Sequence, residues 1–161
     1  MHDYVRLRPF TPEDLDAVVA IFRSNIPKYF TPEEEPGLYE FLEGYSEDYY
    51  VIEVDGEIVG SGGIAWNELE NPTVSLCWGM VRADHLGTGL GKKLTEFRIR
   101  YAREKYGDVP LTIGTSQHTQ RFYERFGFRL TEHEKDGYGP GIDMCKMRKE
   151  LLPANDANGN E

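Results

Sequence analysis

A short run of glycines in the middle of the chain has the composition of a phosphate-binding site. Gly87, Gly89 and Gly91 occupy every second position and lead directly into a basic, amphipathic segment that includes Leu90 and Lys92. Glycines leave the neighbouring backbone N–H groups uncovered, and the N-terminus of a helix attracts anions. The pattern therefore predicts an anion site where a loop enters a helix.

The spacing of this loop excludes two nucleotide-binding patterns. A P-loop aligned on Gly91 and Lys92 would have Leu86 at its first glycine and Lys93 at the hydroxyl that holds magnesium. A dinucleotide loop, Gly-x-Gly-x-x-Gly, lacks its third glycine in either frame. The remaining interpretation is a loop that holds the pyrophosphate of coenzyme A.

The loop resembles the acetyl-CoA loop of the GNAT acetyltransferases, whose pattern is Gln/Arg-x-x-Gly-x-Gly/Ala. Gly89 and Gly91 match its glycines, whereas Leu86 stands where Gln or Arg is usual. The segment from Arg121 to Phe128 resembles the Phe-Tyr-Glu-x-x-Gly-Phe signature that follows the loop in the same family. The stretch between the motifs suits one helix, one strand and a second helix. On both motifs the chain is identified as a member of the GNAT family.

The resemblance implies a mixed α/β fold, with a central, mostly antiparallel sheet of about six or seven strands flanked by about four helices. It also implies acetyl-CoA as cosubstrate, without a metal, and with pantetheine in a gap between the fourth and fifth strands. Lys93 and Arg125 are further candidates to contact phosphate. The cofactor-binding residues that it implies are Met80, Val81, Leu86, Gly87, Thr88, Gly89, Leu90, Gly91 and Lys92.

Tyr123 matches the tyrosine that many GNAT enzymes use as the general acid for the departing thiolate. A thiol has a pKa of about 8.5 and a phenol has a pKa of about 10, so the thiolate is a tolerable leaving group even without protonation by an acid. We therefore expect the acid to matter modestly. The alternative is a core aromatic whose hydroxyl lines the pantetheine wall, and the neighbouring Phe122, Phe126 and Phe128 are predicted to be core.

The general base is not evident from the sequence. Many relatives carry a carboxylate on the fourth or fifth strand, but residues 73–81 and 109–116 contain none. Deprotonation would then pass through water, held by Glu53, by Glu68 or by main-chain carbonyls. The alternative bases are the histidines near the two motifs, His85 and His118.

The distribution of charge indicates the acceptor. A formal net charge of −10 disfavours nucleic acid and anionic membranes as partners. In the GNAT family the first two helices and their connection form the acceptor side, where an acidic, tyrosine-rich rim would attract a cationic amine. The alternative is an ordinary solvated acidic face. The rim consists of Glu33, Glu34, Glu35, Glu40, Glu43, Glu47, Asp48, Tyr29, Tyr39 and Tyr45.

The elements that must position these residues are visible as hydrophobic patterns. Leu90, Leu94, Phe97 and Tyr101 form the apolar stripe of a helix that ends near Gly107. Strands are predicted at 5–8, 49–54, 58–65, 73–81, 109–115, 130–135 and 142–151, with a tight turn at 55–56 and a Gly-rich turn at 137–141. Further helices are predicted after a Thr11 cap, at 36–43 and at 117–125.

These patterns predict one domain over residues 1–152, a disordered tail over 153–161 and a cytoplasmic location, because neither a leader nor a membrane-length apolar stretch is present. Cys77 and Cys145 match no metal or redox spacing and are predicted to be reduced core thiols. Two functions stay open. One is an N-acetyltransferase of a small, cationic or peptide primary amine, acting by direct attack in a ternary complex, with a homodimer possible. The other is a non-catalytic acyl-CoA sensor.

Overall fold

A computed structural model describes residues 4–150 of the chain, and within them it contains seven strands in one sheet and four α-helices. The strands are β1 (Val5–Pro9), β2 (Tyr49–Val54), β3 (Glu57–Asn67), β4 (Thr73–Val81), β5 (Leu111–Thr115), β6 (Arg129–Gly139) and β7 (Ile142–Lys149). The helices are α1 (Leu15–Ser24), α2 (Glu35–Gly44), α3 (Leu90–Tyr106) and α4 (Gln120–Glu124). The predicted fold class is confirmed, whereas the predicted tail at 153–161 lies outside the described residues.

The sheet has the order β1-β2-β3-β4-β5-β7-β6, and every neighbouring pair is antiparallel except β4 and β5. That parallel pair is very short, because β4 and β5 are in register only at Val74 with Leu111 and at Ser75 with Thr112. Beyond these residues the two strands separate. A gap therefore opens in the middle of the sheet, at the carboxyl ends of its two central strands.

An irregularity in β4 accompanies this separation. Trp78 has a positive φ of 45°, and the register of β3 against β4 shifts between Ser61 and Gly63. The Tyr49 hydroxyl lies 2.8 Å from the Trp78 carbonyl oxygen and 3.0 Å from the Ser61 hydroxyl. Since a carbonyl only accepts, Tyr49 donates to Trp78 and accepts from Ser61. A bulge of this kind bends a strand, and buried hydrogen bonds fix it in place here.

Helix α3 packs across the sheet through a lane of residues at every fourth position: Leu90, Leu94, Arg98 and Ala102 are all buried. The sequence pattern instead emphasised Phe97 and Tyr101. Both are half-buried and pack against Tyr50, with ring centroids 4.8 Å and 5.4 Å away. Helix α3 therefore packs two faces: the row that begins at Leu90, called here the aliphatic lane, faces the sheet, and Phe97 and Tyr101 face Tyr50 of β2.

Several element boundaries differ from the predicted ones for local reasons. The first helix is entered through a 3-10 turn at Pro12–Asp14, capped by Thr11 in a capping box with Asp14. Helix α4 begins three residues later than predicted, because Thr119 N–H donates to the Ser116 carbonyl in a turn. Strand β6 continues through the predicted Gly-rich turn as far as Gly139.

Candidate active site

A cavity of about 690 Å³ occupies the gap between β4 and β5. One wall is made by β4, the glycine loop and the start of α3, and Tyr123 of α4 lies at its side. A second wall is made by the connection between α1 and α2 together with the end of β6. We call these the cofactor wall and the acceptor wall. They bring together parts of the chain that are far apart in sequence.

The glycine loop is the part of the cofactor wall where the main chain is uncovered. Gly87 and Gly89 have φ values of 80° and 88°, and a Cβ built on either residue would have no neighbour within 4 Å. Gly89 caps α3, whose 17 residues begin at Leu90. The first N–H groups of a helix have no partner within the helix, and the helix dipole adds positive potential there. The loop therefore presents uncovered N–H groups to the cavity, as an anion site requires.

Most of the predicted cofactor-binding residues line this cavity: Met80, Val81, Leu86, Gly87, Gly89, Gly91 and Lys92. Thr88 instead turns its hydroxyl to the His85 carbonyl, 2.6 Å away. The Leu90 side chain is buried in the core, although the residue opens the helix. Lys93 and Arg125 are exposed outside the cavity lining.

Tyr123 lies on the cavity with 7% of its surface exposed. Its ring is held edge-on by Phe122 and Phe128, with centroids 5.0 Å and 6.0 Å away. Its oxygen accepts a hydrogen bond of 3.2 Å from Arg98 Nη2. Because a guanidinium has no acceptor, the Tyr123 hydroxyl hydrogen is not used in this contact. The hydroxyl is thereby available to donate into the cavity.

The four base candidates separate into two groups. Glu53 accepts a hydrogen bond of 2.6 Å from Arg8, and Glu68 accepts one of 2.7 Å from the Trp66 indole; neither glutamate lines the cavity. The histidines do line it. His85 Nδ1 is 3.1 Å from an Asp84 carboxylate oxygen, and His118 is edge-on to Tyr29 at 5.9 Å between centroids.

The acidic rim is not one surface. Glu35 is paired with Arg23 at 2.7 Å, and the buried Asp48 is paired with Lys105 at 2.8 Å. These partners lie outside the stretch 31–50, so the sequence segment alone gave no sign of them. Of the rim residues, Glu34 and Tyr29 are the ones that line the cavity, whereas Tyr39 and Tyr45 are exposed on and beyond α2.

Glu34 is the carboxylate of the acceptor wall. Its Oε2 accepts hydrogen bonds from the Thr31 N–H at 2.8 Å and from the Thr31 hydroxyl at 3.3 Å. Burial raises the pKa of Glu34 above its ordinary value, although these two hydrogen bonds lower it. The spacing Thr31-x-x-Glu34 is the sequence signature of a capping box, which predicts a helix start but not a position in a cleft.

Tyr138 completes the acceptor wall from the end of β6. Burial, followed by the nearby charge of Glu34, raises the pKa of Tyr138 to about 12. The Tyr138 carbonyl oxygen also lies 3.3 Å from the Thr31 hydroxyl, which shares its single hydrogen between this oxygen and Glu34 Oε2 and so joins the hairpin to the α1–α2 connection. Sequence reasoning missed Tyr138 because β6 was predicted to end before it.

The two cysteines are free and differ in position. Cys145 is buried in β7, as predicted, but Cys77 is half-buried in β4 and lines the cavity. Burial raises the pKa of the Cys77 thiol to about 11, so it is protonated near neutral pH and a poor nucleophile.

Residues 4–150 contain no cluster of three or more potential metal ligands. No helix in the same range is long and apolar enough to cross a membrane.

Comparison with known families identifies the family of this chain. Residues 17–151 match the family model of the Acetyltransferase (GNAT) domain. The chain belongs to the GNAT acetyltransferase family. The resemblance that the two sequence motifs carried is thus confirmed, and with it the assignment of the chain as an acyltransferase.

Proteins named as N-acetyltransferases, and a solved structure of the same fold, resemble the GNAT chain over nearly its whole length. The uncharacterized N-acetyltransferase MJ1530 of Methanocaldococcus jannaschii is 30% identical, covering 89% of this chain and 90% of its own length. An N-alpha-acetyltransferase of Sulfolobus acidocaldarius is 25% identical, covering 91% and 92%. The solved structure of Arabidopsis thaliana Naa50 with the bisubstrate analogue CoA-Ac-MVNAL has a TM-score of 0.72 at 16% identity, covering 91% and 99%. At that identity the similarity to Naa50 concerns the fold.

Proposed function

We propose that this GNAT protein transfers an acetyl group from acetyl-CoA to the primary amine of a cationic small molecule or of a peptide N-terminus, by direct attack in a ternary complex. One observation carries the proposal: a single cavity joins an open glycine loop and Tyr123 to a wall that holds Glu34. Direct transfer requires that donor and acceptor meet in one site, and this cavity has a chemically distinct wall for each.

The cofactor wall suits coenzyme A. The pyrophosphate would be held by N–H groups of the loop and of the first turn of α3, and Lys92 is the lysine that lines the cavity there. The open edges of β4 and β5, which are unpaired with each other beyond Ser75 and Thr112, can accommodate an amide-rich pantetheine arm. When bound, acetyl-CoA supplies an activated acyl group with a thiolate as leaving group.

The acceptor wall suits a cationic amine. Glu34 offers a half-buried carboxylate, while Tyr29, Tyr138 and His118 offer aromatic rings around the same space. Aromatic faces and a carboxylate together favour an ammonium group. The Sulfolobus relative is an N-alpha-acetyltransferase, and the Naa50 complex carries a peptide-based analogue. The name of the Sulfolobus relative supports a peptide N-terminus as one of the acceptors to test first.

Each wall contributes one residue to proton transfer, a proton acceptor on the acceptor wall and a proton donor beside the cofactor wall. An alkyl ammonium with a pKa near about 10.4 is almost wholly protonated at neutral pH and must lose a proton before it attacks. Glu34 accepts that proton, which its raised pKa favours more than an ordinary carboxylate would. The new N–C bond forms as the C–S bond breaks, and the bonding pair leaves with sulfur. The nitrogen loses its second proton to solvent as the amide forms. Tyr123 donates a proton to that sulfur and is reprotonated from solvent, and Glu34 returns its proton to solvent, so one proton is released overall.

The test is thiol release from acetyl-CoA across a panel of amines, together with calorimetric titration of acetyl-CoA alone. The panel contains a polyamine, an amino sugar and a peptide with a free N-terminus, and the same peptide with a blocked N-terminus is the control. We expect tight binding of acetyl-CoA and release with one class of cationic amine. Binding without release from any amine would support the sensor instead, and absence of binding would contradict the cofactor wall.

A further inference from the structure

The most unusual side chain of the molecule is Arg98, which stands in the aliphatic lane of α3. The lane runs through Leu90, Leu94 and Ala102 at intervals of four residues, and Arg98 occupies the remaining place in it. Arg98 is 1% exposed and is the largest fully buried side chain. Arginine is almost never fully buried unless it is paired, so its partners decide how this position is interpreted.

The guanidinium of Arg98 is packed flat against the bulge of β4. A Cβ built on Gly79 would come within 2.6 Å of Nη2, 2.7 Å of Nη1 and 2.8 Å of Cζ. Glycine at position 79 is therefore what allows the side chain to reach its position. Arg98 and Gly79 both line the cavity, next to Trp78, where β4 departs from its regular path.

The charge of Arg98 has no counter-ion among residues 4–150. Nη2 donates to the Tyr123 oxygen at 3.2 Å and to the Thr95 hydroxyl at 3.5 Å. Nε and Nη1 are buried without any hydrogen-bond partner in the described chain. The titratable groups close to it are Tyr49, Cys77 and Tyr123. Burial raises the pKa of Tyr49 and of Cys77, so neither of these two carries a negative charge at neutral pH. A buried, unpaired cation is costly in a folded protein.

We propose that Arg98 is a positioning residue for thiolate departure, which it aids through Tyr123. The inference rests on the proposed function. By donating to the Tyr123 oxygen, Arg98 leaves the hydroxyl hydrogen to point into the cavity, toward the leaving sulfur. Its uncompensated positive charge also favours the negative charge that appears there when the C–S bond breaks and the electron pair moves to sulfur. In this arrangement Arg98 has no counter-ion in the described part of the chain before the reaction, and the departing thiolate supplies the opposite charge as the C–S bond breaks.

Substitution of Arg98 by methionine distinguishes this role from a structural one. Replacing an unpaired buried charge by an apolar side chain of similar length is commonly neutral or stabilising, so we expect R98M to unfold at the same temperature as wild type or at a higher one. The kcat for acetyl transfer should fall roughly 10- to 100-fold, the factor that one charge-assisted hydrogen bond represents. The KM for acetyl-CoA should change little, and R98K should recover part of kcat.

A second readout does not depend on turnover. The thiol of bound coenzyme A is titrated by the ultraviolet absorbance of its thiolate, with wild type, R98M and R100M in parallel. Arg100 lies on the exposed face of the same helix, so R100M controls for the loss of one positive charge. We expect the bound thiol to ionise at a lower pH in wild type and in R100M than in R98M.

The inference fails if coenzyme A binds and its thiol ionises at the same pH in wild type and R98M. It also fails if R98M is both less stable and unchanged in kcat per folded molecule, because Arg98 would then be structural. Either result leaves the acetyltransferase function intact. Failure of wild type to bind coenzyme A would overturn the proposed function, and this inference with it.

Discussion

The two walls of the cavity are built from different materials. The cofactor wall comes from one continuous stretch of chain, the end of β4, the glycine loop and the start of α3, and its glycine loop leaves backbone N–H groups uncovered. The acceptor wall is assembled from the side chains of two segments that are distant in sequence, Tyr29 and Glu34 before α2 and Tyr138 at the end of β6. Under the proposed function, the first wall would recognise what all acyl-CoA molecules share, whereas the second would distinguish one amine from another.

This difference predicts how each wall responds to substitution. A wall made of backbone N–H groups should tolerate changes of side chain but not changes of backbone conformation. A wall made of side chains should respond to the exchange of a single functional group. Tyr123 is the exception on the cofactor side, because its contribution is a hydroxyl.

The largest effect is expected for Tyr123→Phe, which removes that hydroxyl and leaves the ring. General acids contribute roughly 10²–10⁴-fold, and the good leaving group places this case near the low end, at about 100-fold in kcat. The affinity for acetyl-CoA, measured by calorimetry, should stay close to wild type. Tyr45→Phe, at an exposed tyrosine outside the cavity, is the control. Unchanged turnover in Tyr123→Phe would remove this residue from the mechanism.

The next largest effect is expected for Glu34→Gln on the acceptor wall. Because burial raises the pKa of Glu34, the rise of kcat/KM with pH should begin above the ordinary value of a glutamate, near about 4.3. The variant lacks an ionisable base, so this limb should disappear, and kcat/KM should fall about 10- to 100-fold at the higher pH where Glu34 is ionised.

A pH–rate profile with a single amine measures this effect. Glu33→Gln is the matched control, since Glu33 is the adjacent residue and is exposed outside the cavity lining. Equal loss in both variants would mean that the general acidity of the region, and not the position of Glu34, attracts the amine. If kcat/KM of Glu34→Gln still rose with pH in the acidic range, the general base would be another group, for which His118 is the first candidate.

The contrast between the walls also explains what the sequence could predict. The order of elements and the cofactor wall were predictable because their determinants are local: alternating glycines, a period of nearly four in α3, and a tight turn at Asp55 and Gly56. The acceptor wall could not be read in this way. Its rim residues follow one another in sequence, but Arg23 and Lys105 neutralise part of them from other elements.

Arg98 shows a signal that was present in the sequence and not used. Reading α3 at intervals of four from Leu90 gives Leu94, Arg98 and Ala102, so an arginine occupies an aliphatic lane. That departure indicates a buried charge, and a buried charge indicates function more often than stability. Its partners Gly79 and Tyr123 come from β4 and α4, and only the fold brings them to the same place.

Gly89→Ala tests the backbone of the cofactor wall. A residue with a Cβ at φ 88° is strained, and relief of the strain would rotate the N–H groups that face the cavity. A left-handed conformation costs roughly 1–2 kcal/mol in a non-glycine residue. If the loop changes its conformation to relieve this strain, restoring it on binding corresponds to about tenfold weaker binding of acetyl-CoA. Gly56→Ala is the control, because its φ of 84° and its open surroundings are similar but it lies in the β2–β3 turn.

Two measurements on both glycine variants distinguish the effects of strain and of binding. Thermal unfolding measures the loss of stability caused by backbone strain, and calorimetry measures the affinity for acetyl-CoA. Both variants should be slightly less stable than wild type, since they share the strain. Weaker binding should be confined to Gly89→Ala. If Gly56→Ala weakened binding equally, the loss would come from the fold as a whole and the loop would not be the anion site.

The smallest effect is expected for the neighbouring lysines at the start of α3. Both are exposed, but Lys92 lines the cavity and Lys93 does not. A charge near a phosphate at a helix N-terminus is worth roughly 0.3–1 kcal/mol, so Lys92→Ala should weaken acetyl-CoA binding about two- to fivefold. The difference from Lys93→Ala should shrink as salt is added, because exposed charges are screened. A larger loss in Lys92→Ala than in Gly89→Ala would show that side chains, and not the backbone, dominate the cofactor wall.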